Sequence, residues 1–86
     1  MIKVGDRVKV RIAHLYYANQ NVRIYDSVST VSGTSAPQGA AGDIMDVQGD
    51  EVKVHLYWNP SNIAGNGNDV VIWVKKVIFG NSFDYI

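Results

Sequence analysis

The segment EVKVHLYW, residues 51–58, alternates apolar and polar side chains with a period of two. Val52, Val54 and Leu56 point one way, and Lys53, His55 and Tyr57 point the other. Only an extended chain sends successive side chains to opposite faces, so the pattern demands a half-buried strand. RVKVRIA at 7–13 repeats it, with Val8, Val10 and Ile12 set against Arg7, Lys9 and Arg11. VRIY at 22–25 alternates again with Val22 and Ile24 inward, and VSTV at 28–31 is a shorter β-prone run. Residues 43–47 read as a further strand, joined to 51–58 by the tight turn Gln48-Gly49-Asp50 as a hairpin. VVIWVKKVIF at 70–79 covers two short strands, or one strand and a 3₁₀ turn, around Lys75-Lys76. No stretch keeps helical spacing over three turns.

Turn chemistry separates these runs. Gly5-Asp6 is an entry turn, HLYYANQN at 14–21 reads as a connecting loop, and SGTSAPQGAAG at 32–42 as a loop of up to about ten residues. YWNPSNIAGNGND at 57–69 runs two large aromatics into a polar connection. The whole chain, 1–86, is then one all-β domain of five to six antiparallel strands, curled into a small barrel or sandwich. Closing such a sheet removes exposed edges. A chain of 86 residues makes one domain with a thin core, and its 47% apolar content argues against disorder. The absence of cysteine removes disulfides, thiolate zinc sites and a thiol nucleophile, and fits a reducing, cytoplasmic location. No apolar run approaches the ~18 residues of a membrane span, and MIKVGDRVKV reads as a charged strand rather than a signal peptide.

Little in the sequence supports chemistry. His14 and His55 stand far apart with no carboxylate at a suggestive spacing. Asp43, Asp46, Asp50 and Glu51 gather near one hairpin without the regular offsets of a calcium loop, so neither metal nor cofactor is expected. Ser27, Ser29, Thr30 and Ser32 lack a nucleophile elbow, and GNGN lacks the Lys-Ser/Thr end of a phosphate loop. The expectation is a protein that is not an enzyme. Arg7, Lys9, Arg11 and Lys53 define a candidate basic face. Zero net charge speaks against a polyanion partner for it. The aromatics are more suggestive. Tyr16, Tyr17, Tyr25, Tyr57 and Trp58, with Asn59 and Asn62 as adaptable hydrogen-bonding groups, are the candidate ligand-binding residues, because Tyr and Trp give apolar area with a polar tip. Phe79 is assigned to the core. Trp73 fits either face, and Trp58 either plugs the barrel end or walls a groove.

QNVRIYDSVSTVSGT, with Asn21-Val22-Arg23, resembles the opening of bacterial SH3-like (SH3b) domains. GAAGDIMDVQGDEVKVHLY is similar to that family's Gly turn, strand, turn and Lys-Val strand, and VIWVKKVIF to its closing Trp-Val strand and 3₁₀ turn. GDRVKV followed by QGAAGDIMDVQGDEVKVHLY is also similar to KOW-type SH3-like barrels. Either resemblance implies a small SH3-like barrel. The first implies a non-catalytic module that binds a protein, peptide or cell-wall glycopeptide; the second implies nucleic acid. A third expectation is a small assembly or accessory protein of phage or mobile-element origin, a homo-oligomer whose apolar tail FDYI docks on a neighbouring chain. No membrane partner is expected.

Overall fold

The computed structural model describes residues 2–17, 22–26, 35–58 and 68–86, the backbone alone at 22–26 and 68–69. The chain is all-β with one short helix. Its elements run β1 Arg7–Val10, β2 His14–Tyr16, β3 Val22–Asp26, β4 Ser35–Pro37, β5 Ala41–Gln48, β6 Glu51–Trp58, β7 Asn68–Lys75, α1 Lys76–Ser82 and β8 Phe83–Tyr85. Six strands form one antiparallel sheet in the order β3-β7-β6-β5-β1-β8, and β2 pairs with β4 in a second, two-stranded sheet.

The period-two pattern is realised as the sequence implies. Val52, Val54 and Leu56 are fully buried on the inner face of β6, and Val8 and Val10 on that of β1. Their register partners complete the inner rows: Val8 and Leu56 flank Gly42, and Ile44, Val54 and Ile72 stand side by side. Val8, Val10 and Phe83 from one end of the sheet share a core with Val70, Ile72 and Val74 from the other end, so the sheet curls round on itself. Each such aliphatic side chain contributes roughly 1.5–3 kcal/mol on burial.

Gly42 permits a close approach between β5 and β6. A Cβ there would lie 2.9 Å from the His55 carbonyl oxygen and 2.9 Å from Leu56 Cδ2. The first of these is backbone and cannot swing aside, so only glycine lets β5 and β6 approach this closely.

Both ends of the β1–β5 ladder carry the same device. At one end the Asp6 N–H donates to the Lys3 carbonyl (3.2 Å), closing a turn whose third residue, Gly5, has φ 94°. Gly5 N–H then donates to the Ile44 carbonyl (2.8 Å), and Ile44 N–H to the Asp6 carbonyl (2.9 Å), so Gly5 and Asp6 together oppose Ile44. At the other end Ala40 N–H donates to the Pro37 carbonyl (3.1 Å) around Gly39, with φ 90°. Gly39 N–H donates to the Val10 carbonyl (2.8 Å) and Val10 N–H to the Ala40 carbonyl (2.9 Å). Each is a glycine-first β-bulge fused to a turn that needs positive φ at its third residue. A further irregularity between Ile44 and Asp46 leaves Met45 out of register and exposed. The Asp46 carboxylate steadies it, accepting from Val47 N–H and from Gln48 Nε2 (2.8 Å each). The bulge returns Val47 to the core side despite its three-residue spacing from Ile44.

Several expected boundaries change. The strand expected over 7–13 ends at Val10. The loops expected at 14–21 and 32–42 contain β2 and β4, which lie far apart in sequence yet pair (His14↔Pro37, Leu15↔Ala36, Tyr16↔Ser35). Leu15 and Ala36 are buried by that pairing, a gain no local pattern announces. After β7 the chain forms a helix rather than a strand or a 3₁₀ turn. Tertiary docking outweighs the β-branched composition there: Phe79 and Ser82 are buried, and Ile78 packs on the core. Lys76 N–H donates to the Asp50 carbonyl (2.8 Å) at the start of the helix, and Phe83 N–H to Phe79 at its end. The tail FDYI is β8, bound to its own β1, with Phe83 in the core and stacked on Phe79 (5.1 Å). Tyr85 and Ile86 at its end stay exposed. The expected strand at 28–31 lies outside the described residues.

Candidate functional site

The outward rows of the large sheet carry the polar side chains of the same alternating strands. One row crosses β1, β5, β6 and β7 as Arg7, Asp43, His55 and Val71. The next runs through Lys9, Ala41 and Tyr57. Neighbouring strands thus bring four functional side chains together. Arg7 Nη2 donates to the Tyr57 hydroxyl (2.7 Å), and Arg7 Nε lies 3.4 Å from Asp43 Oδ1. The His55 and Tyr57 rings tilt against each other at 5.3 Å. The Arg7 side chain stays 55% exposed, so the cluster is an open surface rather than a buried network. Below it, Lys53 Nζ stands 6.0 Å from the Trp73 ring. Trp73 and Val71 are buried, yet they belong to the outward rows and not to the central core.

The sequence-derived candidates divide unevenly. Tyr57 faces outward in the cluster. Tyr16 is 56% exposed on β2, its ring 6.0 Å from that of His14. Tyr17 is a correction: it is 1% exposed and belongs to the core, not to a binding surface. The loop assignment failed because β2 continues the strand alternation, with Leu15 and Tyr17 inward and His14 and Tyr16 outward. Trp58 is partly buried and packs against the core, which favours the plug over the groove wall. Tyr25 lies in β3 at a register irregularity, but its side chain lies outside the described residues, as do Asn59 and Asn62.

Arg7, Lys9 and Lys53 share the outward side of the sheet, and Arg11 follows just beyond β1. They do not form an unbroken positive stripe. Arg7 pairs with Asp43. Arg11 donates to the Gly80 carbonyl (3.0 Å) and lies 3.8 Å from Asp84. Lys75 lies 3.6 Å from Asp50. Asp43 and Asp46 stand between the cations of β1 and Lys53 of β6. Sequence reasoning missed Asp43, whose role becomes visible only once the register sets it between Arg7 and His55. Among the described residues no three acidic or histidine side chains gather to hold a metal ion, and no helix is long and apolar enough to cross a membrane.

Burial raises the Tyr17 hydroxyl above its ordinary value, and burial followed by the Asp6 charge does the same for Tyr85. Both phenolates are harder to form in the fold than in the unfolded chain. The stabilisation gained by keeping both hydroxyls protonated is complete below the unfolded tyrosine value of about 10 and is lost as pH rises through the higher folded value. Urea midpoints should therefore fall above about pH 10. Tyr17→Phe should flatten that slope; an unchanged slope in this variant would remove Tyr17 as its source.

Comparison of the chain with protein-family models, with curated proteins and with solved structures finds no match.

Proposed function

We propose that the chain is a non-catalytic binding module that recognises a protein or peptide on the outward face of β1, β5 and β6. The observation that carries this reading is the Arg7–Asp43–His55–Tyr57 cluster. Arg and Tyr are the side chains that most often dominate recognition energy, and here they are held in place before any ligand arrives. Exposed Tyr16 on the small sheet is a second contact of the same kind.

The SH3-like assignment belongs to the same proposal. It is supported by the long excursion between β1 and β5, by Trp73-Val74 in β7, and by the helical turn that follows. Cell-wall glycopeptide is the alternative ligand that this resemblance implies, and a cytoplasmic location is supported by the lack of cysteine. Nucleic acid is less well supported, because acidic side chains interrupt the cations. Assembly through the tail is supported only by the exposed side chains of Tyr85 and Ile86, because Phe83 is buried in the chain's own core.

The test is selection of a random-peptide display library on the immobilised chain, alongside retention on purified peptidoglycan. Peptides should be enriched, and Tyr57→Ala should abolish their capture while leaving the fold intact by amide NMR. A library that yields no binder refutes the reading, and retention on peptidoglycan alone would replace peptide with glycan.

A further inference from the structure

We infer that Arg7 is a carboxylate receptor and that the partner is an acidic peptide segment; this rests on the binding-module reading above. The geometry fixes the guanidinium from two sides. Nη2 is engaged by the Tyr57 hydroxyl and Nε by Asp43. Nη1 makes no further bond among the described residues, and the side chain remains more than half exposed. A guanidinium held in this way presents Nη1 in a fixed direction, where a carboxylate can accept a charge-assisted hydrogen bond.

Lys9, the next outward residue of β1, is exposed and makes no ion pair among the described residues. The other nearby cations are committed: Arg11 to Gly80 and Asp84, Lys75 to Asp50, and Lys53 to the face of Trp73. Arg7 is itself paired with Asp43 through Nε, so Lys9 and the outer Nη1 edge of Arg7, beside a tyrosine and a histidine ring, match one acidic side chain with an apolar neighbour. They do not match a regular phosphate backbone, whose binding draws on many cations at once. Tyr57 has a double part. Its ring offers contact area, and its hydroxyl is the positioning group for Arg7.

Peptides enriched on the chain should be rich in Asp and Glu flanked by apolar residues. Replacing those acids by Asn and Gln should weaken binding at least about tenfold, as should Arg7→Lys, which keeps the charge but loses the fork. Tyr57→Phe separates positioning from packing: it should weaken the acidic peptides and leave their amide counterparts unchanged. Affinity should also fall as salt rises. Enriched peptides without acids, or full binding to Arg7→Lys with its fold confirmed by amide NMR, would overturn this inference while leaving the binding module standing. Preferential capture of phosphopeptides or of oligonucleotides would overturn it in favour of a phosphate ligand. An empty selection would take down the broader reading and this one together.

Discussion

Tyr17→Ala should lose about 3–5 kcal/mol of folding stability, the range for removing a large ring from a core. Tyr17 is as buried as Ile44, and it follows an exposed tyrosine directly. A domain of this size has about 5–15 kcal/mol in total, so the variant should be marginally folded. Chemical denaturation reads the effect. Tyr16→Ala on the neighbouring exposed position should change stability by less than about 0.5 kcal/mol. The contrast between adjacent tyrosines is the decisive part. Equal, small losses at both would return Tyr17 to the surface and undo the assignment of β2.

Ending the chain at Gly80 should unfold it. The truncation removes Phe83 from the core and its stacking on Phe79. It also takes away the whole β8 ladder on β1 and the acceptor and donor that Ser82 and Ile86 supply to Arg11 and Arg7. Losing the Phe83 ring alone is worth about 3–5 kcal/mol. Amide dispersion should collapse, and the elution volume should shift to that of an expanded chain. A truncated chain that stays folded, with cooperative unfolding, would show that β8 is dispensable. The test also guards against a misreading: a change of elution volume here reports unfolding, not loss of a partner. Ile86→Ser, which alters only an exposed side chain, is the variant that probes association.

The sequence made the inner and outer faces of β1 and β6 readable because both faces differ in chemistry, so the two-residue rhythm carries the whole answer. Outward Tyr57 followed from the same rhythm. β6 matched its expected limits, while β5 began two residues earlier than expected, at Ala41. β2 and β4 were not legible. Three-residue strands gain their stability from a partner far away in sequence, and SAP has the composition of a turn. The helix at 76–82 was missed for a related reason, since Val77 and Ile78 favour strands locally while docking of Phe79 decides the outcome. The cluster at Arg7 was half visible. Arg7 and Tyr57 were candidates for different reasons, one as part of a basic face and the other as an aromatic contact. Only the register, which sets β1 beside β5 and β5 beside β6, makes them neighbours.

The paired glycines at the ends of β1 and β5 have a mechanical meaning. Sliding β1 along β5 by one residue would carry Val4 or Asp6 into the backbone conformation now held by Gly5, and Gln38 or Ala40 into that of Gly39. L side chains resist that conformation, most of all a β-branched one such as valine. Both directions of travel therefore meet a stop. The three-pair register of β1 on β5 is therefore pinned from both sides, and a slipped pairing has to strain one backbone or the other.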